Sequence, residues 1–211
     1  MSAPGSCRVK VCGITRLEDA IAAVEAGADF LGFIFAPSPR RIEPEDAARI
    51  IVELPPGPEL VGVFVDESPG RMLEVAGIAG LTMLQLHGSE PPEVADSLRL
   101  PVIKAVRLRE LEAGLEQARA YSSPYLLAEP LVPGKAGGAG VRLDFGLGRA
   151  VVEGLPERRV LLAGGLGAHN VREAVEAVRP WGVDASSALE TAPGRKDPEL
   201  IRRYVEAAKG R

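Results

Sequence analysis

Along this chain, short continuous apolar runs alternate with longer stretches in which apolar side chains recur every third or fourth position. The first spacing suits strands buried on both faces, the second amphipathic helices. Arg8 to Cys12 opens the series as a strand. Leu17, Ala20, Ile21 and Val24 follow with helical spacing, Thr15-Arg16-Leu17-Glu18 has the form of a capping box, and Gly27 is placed to end the helix. Asp29 to Phe35 is a second strand. A Pro/Ser/Arg loop separates it from Pro44, at a first helical position, and the periodic set Ala47, Ile50, Ile51 and Leu54. Leu60 to Val65 and a helix from Arg71 to Ala79, opened by Ser68-Pro69, make a third unit. Thr82 to Leu86, ending in His87-Gly88, makes a fourth, with Ser89 as cap of a helix reaching Leu98. Pro101 to Val106 with a helix from Leu111 to Ala120 is the fifth, and Tyr125 to Glu129 is the sixth strand.

The connection after that strand differs. Pro130 to Gly140 is rich in Pro and Gly and too long for an ordinary turn, so it reads as a mobile functional loop. A short helix from Gly146 to Val152 leads to a seventh strand, Val160 to Ala163, closed by Gly164-Gly165. Val171, Ala174, Val175 and Val178 mark its helix, with Asn170 or His169 as cap. Gly182 to Ala185, closed by Ser186-Ser187, is the eighth strand, and a last helix starts at Asp197-Pro198 with Ile201, Tyr204, Val205 and Ala208 inward. Eight strand-helix units of roughly 25 residues predict a single-domain α/β protein, a (β/α)8 TIM barrel spanning residues 1–211. An open doubly wound sheet would show a Gly-rich fingerprint after its first strand, which the chain lacks.

Composition narrows the partners. The chain has 211 residues, 46% of them hydrophobic, and a formal net charge of -4, which argues against a general nucleic-acid binder. No run approaches a membrane span and the first residues lack a signal-peptide core, so a cytoplasmic protein without membrane association is expected; a homodimer is compatible with the sequence. The two cysteines, Cys7 and Cys12, are expected to be free thiols, Cys7 incidental. With the two histidines far apart, no metal site is expected.

In strand-helix barrels, catalytic side chains gather at the carboxyl ends of the strands. Cys12 ends the first strand and is a candidate general base, provided that a positive neighbour such as an inward Lys10, or the following helix N-terminus, favours its thiolate. Glu129, the acid at the end of the sixth strand, shares a face with Tyr125 and Leu127 that points either into the barrel mouth or into the helix layer; in a half-dry pocket it can donate a proton, and otherwise it is an acid satisfied at the rim by backbone or Arg. Gly164 and Gly165 leave backbone N–H groups bare beside Ser186 and Ser187, a candidate phosphate cradle unless the glycines are only turn residues and the serines helix caps. Arg40 and Arg41 follow the second strand, where a guanidinium can clamp an anion. His87 is counted among the substrate-facing candidates, although a hydrogen-bonded rim residue explains it better than a ligand does.

These residues resemble the phosphoribosylanthranilate isomerases of tryptophan biosynthesis, from Val9 to Lys209. Lys10-Val11-Cys12-Gly13-Ile14-Thr15 is similar to the opening signature, Gln85-Leu86-His87-Gly88 to the strand-four motif, and Val132-Pro133-Gly134-Lys135 with Gly137, Gly138 and Gly140 to the strand-six loop. Ala163-Gly164-Gly165-Leu166, Val183-Asp184-Ala185-Ser186-Ser187 and Pro193-Gly194-Arg195-Lys196-Asp197 complete the set. The resemblance implies a cofactor-independent Amadori rearrangement of N-(5-phosphoribosyl)anthranilate to 1-(2-carboxyphenylamino)-1-deoxyribulose 5-phosphate. It makes Cys12 the base, Arg40 the holder of the anthranilate carboxylate, Asp184 a residue near the linking nitrogen, and Gly164, Gly165, Ser186 and Ser187 the phosphate site. Three positions depart from the family pattern: Glu129 stands where the acid is Asp, Ala139-Gly140-Val141 where Ser or Thr and then Lys are frequent, and Ala188 where Gly is usual. Asp66 and Asp144 are fallback acids. Alternatives are isomerisation of a related phosphoribosyl substrate, the aminoimidazole carboxamide of histidine biosynthesis, which is expected to use two carboxylates rather than Cys12, and a non-catalytic phosphate-binding barrel.

Overall fold

The computed structural model describes residues 7–131 and 144–211. Eight parallel strands close into a barrel in chain order: β1 (Arg8–Cys12), β2 (Phe30–Ile34), β3 (Glu59–Phe64), β4 (Met83–Leu86), β5 (Val102–Leu108), β6 (Tyr125–Pro130), β7 (Arg159–Leu162) and β8 (Gly182–Ala185), which pairs back onto β1. Helices α1 (Leu17–Ala26), α2 (Pro44–Val52), α3 (Pro69–Ala79), α4 (Pro92–Ser97), α5 (Leu111–Arg119), α6 (Phe145–Gly154), α7 (Val171–Val178) and α8 (Pro198–Lys209) each follow a strand. The (β/α)8 expectation holds. What the apolar spacing did not reveal is a 3-10 turn at Ser187–Leu189 and a small antiparallel hairpin, β9 (Glu190–Ala192) with β10 (Arg195–Lys196), between β8 and α8. Two- and three-residue strands are too short to show a period.

Strand alternation divides the side chains into two cores. Phe30, Val61, Met83, Ile103, Leu127 and Leu161 point into the barrel, floored by Tyr125 and Trp181. Val9, Val11, Leu31, Phe33, Leu84, Leu126, Ala128, Leu162 and Val183 point outward under the helices. Because both faces are buried, the strands read as continuous apolar runs.

Several helix starts differ from the sequence reading. The capping box at Thr15 does not form: Arg16 is the residue before α1 and makes no capping bond, while Thr15 Oγ1 donates to the Gly194 carbonyl, 2.5 Å away, tying the hairpin to the entry of α1. Ser89 does not cap α4, which starts after Pro91. Asn170 precedes α7, but its amide serves the preceding loop, accepting from Gly167 N and donating to the Gly165 carbonyl. Ser68 and Asp197 do cap, accepting from Arg71 N and from Glu199 N and Leu200 N, and Gly27 ends α1 in the left-handed conformation at φ 91°. Of the predicted loop, residues from Val132 onward lie outside the described residues, with Lys135, Gly137, Gly138, Ala139, Gly140 and Val141. No helix among the described residues is long and apolar enough to cross a membrane.

Candidate active site

The barrel interior is apolar at its amino-terminal end and becomes polar at the carboxyl ends of the strands. Alternation carries each inward face to a charged or reactive residue: Lys10 then Cys12 on β1, Gln85 then His87 after β4, Arg107 on β5, Glu129 on β6, and Asp184 then Ser186 after β8. Sequentially distant residues meet here because the register fixes which strand ends lie side by side. Lys10 pairs with Asp184 across β1 and β8, and Arg107 with Glu129 across β5 and β6.

The thiol side is built around Lys10. Its fully buried ammonium donates to Asp184 Oδ1 at 2.8 Å and also faces the Cys12 sulfur. Burial pulls this ammonium toward neutrality, but the Asp184 carboxylate and the Cys12 sulfur outweigh that pull and raise its pKa. Burial pushes the Cys12 thiol up, and Lys10 opposes the shift without cancelling it. The inward lysine that a thiolate needs is therefore present beside Cys12, opposing the effect of burial. Gly32 sits opposite Cys12 in β2, and a Cβ there would lie 2.8 Å from Cys12 Sγ, so this glycine is what leaves room for the sulfur. Gly13, at φ 79°, does the same for the rim: an added Cβ would meet Arg40 Cδ at 2.8 Å and Ser186 Oγ at 3.0 Å.

On the acid side Glu129 is buried, with Oε1 3.1 Å from His87 Nε2 and 3.6 Å from Arg107 Nε. Neither contact is aligned as a hydrogen bond, so Glu129 Oε1 and Arg107 Nε, though ion-paired, are buried without a hydrogen-bond partner among the described residues. A buried carboxylate oxygen with an open lone pair is poised for a ligand atom. His87 is held from behind. Its Nδ1 lies 2.8 Å from Gln85 Nε2, and Arg107 Nη2 donates to its carbonyl at 2.5 Å. The next residue, Gly88, is clamped by a buried ion pair: Lys104 Nζ donates to its carbonyl at 2.9 Å and to Glu90 Oε2 at 2.6 Å, while Glu90 accepts from Gly88 N. A lysine inside the apolar run Val102 to Val106 was the one sequence signal of such a pair; Glu90 carried none. The fallback acids are engaged elsewhere. Asp66 accepts from Ser89 N at 2.6 Å, and Asp144 caps α6 by accepting from Leu147 N at 2.8 Å.

Gly164 and Gly165 follow β7 with positive φ, 102° and 60°, and Ser186 and Ser187 follow the neighbouring β8. Their loops touch, since a Cβ on Gly167 would lie 3.1 Å from Ala188 Cβ. Ser186 Oγ is buried without a hydrogen-bond partner among the described residues. Loop amides at two glycines, a buried hydroxyl and a short 3-10 turn supply the kind of donors an anion needs. Arg40 and Arg41 separate here: Arg41 is exposed beside Glu43, whereas Arg40 turns inward over Gly13. Its Nε and Nη2 donate to the two oxygens of Glu190, at 2.8 and 2.7 Å, and Lys196 Nζ donates to the same carboxylate at 2.8 Å. Sequence reasoning missed Glu190 and the role of Lys196, because both sit on the short hairpin.

The chain is similar to known proteins over nearly its whole length. A family model described as N-(5'phosphoribosyl)anthranilate (PRA) isomerase matches residues 9–207. The N-(5'-phosphoribosyl)anthranilate isomerase of Geobacter sulfurreducens is 46% identical over 204 residues, 96% of this chain and 98% of that protein; the Thermotoga maritima protein of the same name is 45% identical over 206 residues, with the same coverage. The Thermotoga maritima crystal structure superposes with a TM-score of 0.88 at 44% identity, covering 97% of this chain and all (100%) of that one. A phosphoribosyl anthranilate isomerase crystallised with reduced 1-(o-carboxyphenylamino)-1-deoxyribulose 5-phosphate superposes with a TM-score of 0.85 at 42% identity and the same coverage. From the match over nearly its whole length, the chain belongs to the N-(5'-phosphoribosyl)anthranilate isomerase family.

Proposed function

We propose that this protein, acting as one barrel domain, isomerises N-(5'-phosphoribosyl)anthranilate to 1-(o-carboxyphenylamino)-1-deoxyribulose 5-phosphate, with Glu129 as general acid and Cys12 as general base. The observation that carries the assignment of roles is the inward placement of both groups at one end of the barrel. Each is buried, and each lies on the face that lines the interior.

Glu129, in its protonated form, gives its proton to the furanose ring oxygen as the bond from that oxygen to C1 breaks, leaving a Schiff base between C1 and the anthranilate nitrogen. Cys12, as its thiolate, then removes the proton on C2; the electron pair of that C–H bond forms the C1=C2 double bond while the C1=N pair moves onto nitrogen, giving an enol-amine. Protonation at C1 and loss of the enol hydroxyl proton yield the ketone. Lys10 stabilises the thiolate as it forms, which offsets the cost of charging a buried sulfur. The loop amides of Gly164 and Gly165 with Ser186 and Ser187 hold the phosphate, Asp184 lies near the linking nitrogen, His87 lies beside the acid, and Arg40 takes the anthranilate carboxylate.

The ligand in the related crystal complex carries the three groups this arrangement needs, a phosphate, a sugar chain and an aryl carboxylate. The test is the loss of anthranilate-conjugate fluorescence in purified protein. Wild type should consume the substrate, and Cys12→Ala should lose kcat by about 100-fold or more with KM little changed. A Cys12→Ala variant that turns over normally excludes the thiol as base. A wild-type protein that binds the substrate without consuming it excludes the activity.

A further inference from the structure

We infer that Glu190 is a positioning residue for substrate recognition: its carboxylate, gripped by Arg40 and Lys196, turns the Arg40 guanidinium so that its outer edge meets the substrate's aryl carboxylate. This rests on the reading of Arg40 given above. A guanidinium presents two edges able to bind a carboxylate with paired N–H groups, one formed by Nε and a terminal nitrogen, the other by the two terminal nitrogens. Glu190 occupies the first, at 2.8 and 2.7 Å. The second, formed by Nη1 and the remaining hydrogen of Nη2, lies outside that pair.

The carboxylate is itself fixed. Its side chain is 4% exposed, and Lys196, fully buried, donates to it at 2.8 Å and to the Ser186 carbonyl at 3.1 Å. Lys196 N in turn donates to the buried Asp19 of α1 at 3.0 Å. Glu190 therefore joins the loop after β2 to the end of β8, the two sides between which an aryl group and a phosphate on one ligand would be strung. A long arginine left without Glu190 would sample several rotamers, and ordering it would weaken binding.

The experiment compares two ligands by calorimetry, the reduced product analogue and the same molecule without its aryl carboxylate. Glu190→Gln keeps the shape and removes the charge. It should weaken the carboxylated ligand about tenfold, the loss of one good hydrogen bond to a charged group, and the other ligand less than about twofold. Arg40→Ala should show the same selectivity. Equal weakening of both ligands by Glu190→Gln, or no weakening, overturns the role of Glu190 while leaving Arg40 standing. Tighter binding of the carboxylated ligand also overturns it, because Glu190 would then be a competitor for Arg40. If Arg40→Ala fails to distinguish the ligands, the reading of Arg40 falls and this inference with it. Should Glu190→Gln not fold, Glu190→Asp, which keeps the charge but retracts it, decides by the same selectivity.

Discussion

Replacing Glu129 with Asp isolates the geometry of the acid, because charge and proton are conserved and only reach changes. The substitution withdraws the carboxyl by one C–C bond, about 1.5 Å. In the native site Oε1 is 3.1 Å from His87 Nε2 and 3.6 Å from Arg107 Nε, so the shorter side chain leaves both contacts unless the strand moves. Such movement is opposed by the pairing of Glu129 with Arg107 in β5 and of Ala128 with Leu162 in β7. A displacement of this size costs on the order of 100-fold in rate, about 2.7 kcal/mol of barrier, while phosphate and carboxylate contacts that set KM stay in place. The measurement is kcat and KM from the fluorescence decay, with Glu129→Gln as the comparison that removes the proton altogether and should fall lower still. A Glu129→Asp enzyme with the kcat of wild type would falsify the idea that this backbone has been fitted to the longer acid.

Two further outcomes follow from the same geometry. Gly32→Ala introduces a Cβ 2.8 Å from Cys12 Sγ and 3.1 Å from Cys12 Cα; it should lower kcat by about 100-fold by displacing the sulfur, and a crystal structure of an active variant with Cys12 unmoved would contradict this. Burial raises the Cys7 thiol from 9.0 to about 12, with Asp29 adding to the shift. Its protonated form is thus favoured by folding: that stability is complete below the unfolded value and is lost as pH rises from about 9 toward 12, at about 1.4 kcal/mol per pH unit. The difference in unfolding free energy between wild type and Cys7→Ala should therefore narrow across that window, and a constant difference in denaturant titrations would show that Cys7 does not titrate as described.

The sequence by itself determined the barrel, because strands buried on both faces and helices buried on one leave different apolar spacings, and their alternation leaves little choice of topology. It also determined which residues end each strand, and so brought Cys12, Glu129, Gly164, Gly165, Ser186 and Ser187 forward without coordinates. Helix caps were legible where Ser68 and Asp197 face their own helix. They failed at Thr15 and Asn170, whose side chains are claimed by Gly194 and by the loop of Gly165 and Gly167. Only the tertiary structure decided how Lys10 meets Asp184, how Lys104 and Glu90 clamp Gly88, and how Glu190 draws in Arg40. Those partners are distant along the chain, and a buried charge shows in a sequence only as a break in an apolar run. What neutralises it is settled by strand register and by a hairpin too short to have a period.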